Sequence, residues 1–446
     1  MLQATPKSDL FGPQEETEKA LRLFVEDVQN TPLCFLGRTI LRGMLRRILL
    51  ARCAPARARP TLTACTPLTA QPASVAALRG GHRKNVMDYV VQNPKIAEVR
   101  RAWPGACAVP LAARSRALGA RRVPRGNLAQ LPIRKPLIVL GLPRTGSTLM
   151  YNLLACDPET RAPMFWEMIH FIDPAPPAPQ AAHATDPRID KVNARFRTLD
   201  VLAPGMIKEM SKSHVTKAYQ YDEELIAMMH QMQLIMWAPM APKKYEDWVF
   251  EAGNKRQIYV YLKRFIQMLQ SAWAPKSHWV LKSPVHALYL DAILEQFPDA
   301  RIVVTHRELE SVVPSLARYI ESMTSYYFDD ATLSRLELGR LAGRLTDEVT
   351  NRMIEFRRKH KQPEQFCDVQ YSKLISDPIG VVRDVYAHFG MTVTPEHEAA
   401  IRKYMDDNPQ GKHGRQSYDI ADYGFTKDAL KKRYNKYLET YLSPAK

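Results

Sequence analysis

A short, fully apolar run, Pro136-Leu-Ile-Val-Leu-Gly141, follows Lys135 and predicts a parallel strand buried on both faces. A Gly-containing turn and a helical stretch, Ser147–Cys156, come after it. The same strand-then-helix signature returns three times. Trp279-Val-Leu-Lys282 precedes a helix at 285–297. Arg301-Ile-Val-Val-Thr305 precedes a helix reaching about Ser322. A strand at 366–369 precedes a helix at about 379–389. Strands alternating with helices imply an α/β fold, a P-loop-like doubly wound parallel sheet with helices on both faces. An all-helical insertion is expected at about 188–275, where Ile258, Leu262, Phe265 and Leu269 repeat at helical spacing. A further long helix, 331–360, carries Leu338, Leu341, Leu345 and Phe356 on one stripe.

The first 130 residues differ in character. Residues 14–50 read as helical, with Leu21, Phe24, Val25 and Val28 on one face. Residues 51–82 and 103–130 are rich in Ala, Arg and Pro without any period, and read as flexible insertions. The expected organisation is therefore an N-terminal helical segment (1–50), an irregular basic region (51–130) and an ordered domain (131–446).

Charge sharpens this division. Of a net charge of +17 over 446 residues, residues 1–130 hold 21 Lys/Arg against 8 Asp/Glu. A nucleic-acid surface is not expected there, because basic residues are not interleaved with aromatics. Hydrophobic residues at 46% and charged residues at 24% fit a globular protein with a real core. No run of about 20 apolar residues predicts a transmembrane helix. The acidic N-terminus (Asp9, Glu15, Glu16, Glu18) is unlike a targeting peptide, so a soluble, cytoplasmic protein is the expectation. The six cysteines form no CxxC pair and no zinc spacing, and are expected as free thiols.

Gly141-Leu-Pro-Arg-Thr-Gly146-Ser-Thr148 has the G-x4-G spacing of a phosphate loop, between a strand and a helix. Backbone N–H groups and the helix N-terminus would hold a phosphate there. A nucleotide triphosphatase needs Lys at position 147; here it is Ser147, and Arg144 supplies the cation. A second anion site is expected where Arg307 follows the third strand, with Ser315, or Ser311 one turn nearer, on the helix after it.

Pro143-Arg-Thr-Gly-Ser-Thr-Leu149, followed by Asp157-Pro158, resembles the 5′-phosphosulfate loop of sulfotransferases that use 3′-phosphoadenosine 5′-phosphosulfate (PAPS). The closer likeness is to the broad-acceptor branch related to tyrosylprotein sulfotransferases. Arg307 with Ser315 is similar to that family's 3′-phosphate site, and Tyr371 to its nucleotide contact. The resemblance spans about 131–446. It implies PAPS as sulfuryl donor, the adenosine bisphosphate PAP as product and no metal. Arg144, Thr145, Gly146, Ser147, Thr148, Arg307, Ser315 and Tyr371 would bind the donor.

The chemistry needs a base and a cation. Glu167, in Met164-Phe-Trp-Glu-Met-Ile-His170, is expected as the base, its pKa raised by apolar neighbours. It falls where the tyrosylprotein branch places its catalytic glutamate, about two residues further from the loop. His170 is the alternative. Lys282, closing an apolar strand, is expected to neutralise the leaving group with help from Ser147, while Ser283 and His286 flank it. His286 is equally suited to a structural role. His214, Tyr221, Asp222, Glu223 and Glu224 are candidates for acceptor recognition, most of them expected on a solvated helix face. Lys412 or Arg415 in the tail is placed to reach the nucleotide. The acceptor would be a small molecule, carbohydrate or peptide, presenting a hydroxyl or amine. A homodimer is an open assembly state. The competing readings are a kinase or other P-loop nucleotide-binding protein without sulfuryl transfer, and a basic nucleic-acid binder.

Overall fold

The computed structural model describes residues 19–20, 23–24, 130–170, 178–202, 205–212, 214–231, 244–251, 255–324, 334–409 and 418–442. The expected basic region 51–130 lies outside these residues, apart from Gln130. So do most of the helical segment 1–50, and Lys412 and Arg415. Of the N-terminal stripe, Phe24 is described: it is fully buried, with its ring edge-on to Tyr245 at 5.3 Å.

Four parallel strands form the sheet: β1 (Leu137–Gly141), β2 (Val280–Lys282), β3 (Arg301–His306) and β4 (Phe366–Gln370), in the order β2-β1-β3-β4. The runs of β1 and of Ile302–Val304 in β3 are apolar without alternation because both faces are covered, whereas β4 exposes Asp368 and Gln370. Ile138, Leu140, Leu281, Ile302 and Val304 enter one core, and Leu137, Val139, Val280, Val303 and Val369 enter the other. This is the doubly wound α/β arrangement expected from the sequence. The register sets Gly141 against Thr305 and Val139 against Lys282. The carboxyl ends of β1, β2 and β3 therefore finish side by side, where open α/β sheets bind ligands.

The helices that matter for the site are α1 (Ser147–Ala155), α2 (Phe165–His170), α3 (Lys255–Gln270), α4 (Leu309–Thr324), α5 (Arg335–Lys359), α6 (Tyr371–Ser376) and α7 (Pro378–His388). The expected stripe of α3 is buried at all four positions, and Leu338, Leu341 and Leu345 of α5 are buried with it. Ser334 caps α5 by accepting from the Glu337 N–H at 3.2 Å. The predicted helix 285–297 is broken instead: a 3-10 turn at Pro284–Leu288 gives way to a helix at Leu290–Gln296, with Tyr289 between them at φ −137°. The last predicted helix is preceded by α6. Asp377 ends that helix and caps α7, accepting from the Gly380 N–H at 2.9 Å.

The insertion corrects the expectation most. It holds helices at Pro187–Leu202, Met206–Ser211, Leu225–Met228 and Lys244–Glu251 besides α3, but 214–223 is not helical. Its backbone is satisfied by strand-like pairing: the Phe165 N–H donates to Gln220 O at 2.9 Å, and the Asp222 N–H to Pro163 O at 3.2 Å. Met164 and Tyr221 form an antiparallel bridge. Asp222, Glu223 and Glu224 are consequently buried at the sheet rather than spread over a solvated helix face.

Candidate functional site

The loop after β1 is built on left-handed backbone. Gly141 has φ +137°, Arg144 +74° and Gly146 +88°. A Cβ on Gly141 would stand 2.6 Å from Thr305 O, and one on Gly146 would stand 2.8 Å from the Tyr371 ring. Both glycines are thus demanded by close approach as well as by φ. Thr145 is fully buried; its hydroxyl bonds Leu142 O and Thr305 Oγ1, each at 2.6 Å, and props the loop on β3. The Thr145 hydroxyl faces the fold, which leaves its backbone for the donor contact expected of this residue. Asp157, in the Asp-Pro pair beyond α1, accepts from the Tyr386 hydroxyl at 2.7 Å and pins α7 to the end of α1.

The second expected anion site meets this loop directly. Arg144 Nε donates to Ser315 Oγ at 3.1 Å, and an Arg307 N–H donates to Arg144 O at 3.1 Å. The Arg307 guanidinium stacks on Tyr371, 4.2 Å from the ring centre. Burial pulls the Arg144 pKa below its ordinary value, and Arg307 presses it the same way. Gly146, Arg144, Arg307, Ser315 and Tyr371 therefore form one contiguous cluster that holds two guanidinium groups. Ser315, not Ser311, meets the loop.

Lys282 closes the opposite wall. It is 2% exposed; its ammonium donates to Thr148 Oγ1 at 3.1 Å and pairs with Glu223. Glu224 receives the Lys282 backbone N–H at 2.8 Å and bonds His286 Nε2 at 2.6 Å. His286 Nδ1 in turn bonds the Tyr259 hydroxyl at 3.0 Å. His286 is fully buried in this relay, which gives it the structural role of its two readings. His214 Nε2 bonds Asp222 at 2.9 Å, and its Nδ1 lies 3.8 Å from Glu223. Burial lowers the His214 pKa, but Asp222 and Glu223 outweigh it and leave it raised.

These groups frame one cavity. Its polar end is lined by Arg144, Ser147, Thr148, His214, Glu223 and Lys282, and its apolar wall by Leu316, Tyr319, Ile320, Met323, Leu341 and Leu345. Among the described residues, no group of three or more His, Cys, Asp or Glu is arranged to hold a metal ion. Cys156 and Cys367 are free thiols, and burial pushes each up to about 11.

Glu167 is placed elsewhere. It does not line this cavity, and its carboxylate is saturated: Arg161 at 2.9 Å, His183 at 3.0 Å and the Met164 N–H at 3.0 Å. Burial alone would raise its pKa, as expected from its apolar neighbours, but His183, Arg161 and the Met164 amide together hold it below the ordinary value. The expectation of a poised base at Glu167 is therefore corrected: the flanking apolar residues conceal an ion pair that sequence reading missed. Arg161 lies over Trp273 at 3.8 Å and Trp279 at 4.6 Å, and also donates to Leu269 O at 2.9 Å. The side chain of His170 lies outside the described residues.

A family model described as "Sulfotransferase family" matches residues 136–395, more than half of the chain. The chain is similar to the omega-hydroxy-beta-dihydromenaquinone-9 sulfotransferase Stf3 of Mycobacterium bovis and of Mycobacterium tuberculosis. It is 23% identical to each over 291 residues, covering 62% of this chain and 68% of theirs. Among solved structures it is similar to sulfotransferase STF9 from Mycobacterium avium, with a TM-score of 0.69, 25% identity and coverage of 99% of this chain and 98% of that one. Its fold also matches sulfotransferase STF1 from Mycobacterium tuberculosis H37Rv, with a TM-score of 0.68, 23% identity and coverage of 98% and 95%. Among the described residues, no helix is long and apolar enough to cross a membrane.

Proposed function

Because the chain belongs to the sulfotransferase family, we propose that it moves a sulfuryl group from PAPS to the hydroxyl of an apolar small molecule. The observation that carries the donor is the direct contact of its two anion sites, Arg144 Nε to Ser315 Oγ at 3.1 Å and Arg307 to Arg144 O at 3.1 Å. PAPS carries a phosphosulfate at one end of the ribose and a phosphate at the 3′ position, so it needs two such sites in one cleft. The loop amides, Ser147 and Thr148 take the 5′ end at the start of α1. Arg307 and Ser315 take the 3′-phosphate, with the guanidinium kept flat by Tyr371. Lys282, touching Thr148 on the loop, meets the charge that develops on the leaving phosphate oxygen.

The acceptor class follows from the cavity wall. Leu316, Ile320, Met323, Leu341 and Leu345 offer a chain or ring system apolar burial, with Tyr319 and Thr324 as the hydroxyl-bearing residues among them. A sugar would leave most of its hydroxyls unpaired there. Stf3, named for a hydroxylated menaquinone, is a relative consistent with this class.

Two measurements test the reading. Arg307→Ala should weaken PAP binding, read by calorimetry, roughly 10- to 150-fold, the value of about 1.5–3 kcal/mol for hydrogen bonds to a charged group. Unchanged affinity would remove the assigned 3′ site. Incubation with PAPS and 1-dodecanol, 4-octylphenol or glucose should yield sulfate esters of the first two and not of glucose. Phosphoryl transfer from ATP and magnesium in place of sulfuryl transfer would instead support the kinase reading, which Ser147 disfavours because the loop lysine is missing.

A further inference from the structure

Sulfuryl transfer to a hydroxyl releases a proton, and Glu167 is not at the cavity to receive it. Of the three consecutive acids 222–224, one is. Asp222 accepts from the Glu223 N–H at 2.7 Å and bonds His214 at 2.9 Å. Glu224 is fully buried, with one oxygen on His286 and the other on the Lys282 N–H. Glu223 differs from both: its side chain is 12% exposed, and it is the only carboxylate among the described residues lining the cavity. Its partners there are the Lys282 ammonium and, at 3.8 Å, His214 Nδ1.

Resting on the donor reading above, we propose that Glu223 is the proton acceptor of the reaction and that its ion pair with Lys282 is a latch opened by the donor. Lys282 Nζ touches the phosphate loop through Thr148 Oγ1 and Glu223 at the same time. A phosphosulfate held by that loop competes with the carboxylate for one ammonium. As Lys282 turns to the bridging oxygen, Glu223 loses its ion-pair partner and its carboxylate is freed to face the acceptor hydroxyl. The acceptor oxygen then forms a bond to sulfur, and the sulfur–oxygen bond to the phosphate breaks. The electron pair leaves on the phosphate oxygen beside Lys282, and the acceptor proton passes to Glu223. His214, fixed by Asp222, faces the same carboxylate and keeps it oriented. Before the donor arrives, Glu223 stays paired and the base is held in check, so the donor binds first.

Glu223→Gln separates this arrangement from a structural role, because its two effects have opposite signs. PAP affinity, measured by calorimetry, should rise about five- to tenfold, since nothing competes for Lys282. The kcat with PAPS and the fastest of the three acceptors named above should fall about 10²–10⁴-fold, the range for losing a positioned base. Glu223→Asp, whose shorter carboxylate falls short of Lys282, should also bind PAP more tightly while keeping a measurable part of kcat. It carries the test if the amide variant fails to fold. PAP affinity unchanged or weakened in both variants would overturn the latch. An unchanged kcat in Glu223→Gln would overturn the proton role. A wild-type chain that binds no PAP would overturn the donor reading, and this proposal with it, before any variant is compared.

Discussion

Lys282→Met should lower the kcat of sulfuryl transfer about a thousand-fold while the chain still folds. One preorganised donor aimed at developing charge is worth roughly 10²–10³ in kcat. Lys282 sits at the upper end of that range because of how it is held. Its ammonium is 2% exposed, its backbone N–H is fixed by Glu224, and Glu224 is fixed by His286, itself bonded to Tyr259. Little more than a turn of the ammonium away from Glu223 is needed when charge appears on the leaving oxygen. Methionine keeps the unbranched stem and its packing beside β1. Glu223, stripped of its partner, keeps His214 within 3.8 Å and an outlet to the cavity, so the fold is not left with a stranded interior charge. Lys282→Arg should not rescue the rate, because a planar five-donor fork does not fit between Thr148 and Glu223. The check is kcat at saturating donor and acceptor, with the melting temperature followed alongside. A loss of less than tenfold would remove Lys282 from the chemistry.

The strands, and the two segments proposed above to hold the donor, were legible in the sequence because each is a local signal. β1 and the Ile302–Val304 stretch of β3 read as uninterrupted apolar runs, since burial on both faces removes the alternation that the half-exposed β4 shows at Asp368 and Gln370. The loop was legible from its glycine spacing, and Arg307 from its place at the end of β3. Their meeting was not legible: it follows from the register of Gly141 against Thr305, a pairing 164 residues apart in the chain. The carboxylates show the limit more sharply. Glu167 has hydrophobic neighbours in sequence, yet its partners Arg161 and His183 arrive from either side of α2 and reverse the expected pKa shift. Glu223 sits in a run of three acids, which resembles a solvated surface. Only the non-helical path of 214–223 turns one of them toward Lys282, one toward His286 and one toward His214. The period of a segment indicates its type, but not which of several charged neighbours finds a counterion inside.

Arg161→Ala should destabilise the chain by about 3–5 kcal/mol, the cost of removing one partner of a buried ion pair. The guanidinium lies between Trp273 and Trp279 and joins Glu167 to the end of α3 through Leu269 O. Truncation removes that packing and leaves the Glu167 carboxylate, 3% exposed, with His183 as its remaining side-chain partner. The double variant Arg161→Ala with Glu167→Leu should be less destabilised than Arg161→Ala alone, because no charge is then left uncompensated. The pH dependence runs in a determined direction. In the wild type the folded pKa of Glu167 lies below its ordinary value. Its contribution is thus complete above the ordinary carboxylate range and disappears as pH falls through the depressed folded value. Without Arg161, burial is opposed by fewer partners and the carboxyl pKa rises. The variant then loses stability as pH increases through the raised value, where the wild type loses none. Urea unfolding of both chains between pH 4 and pH 7 measures this, and parallel curves would show that Glu167 and Arg161 are not coupled as a buried pair.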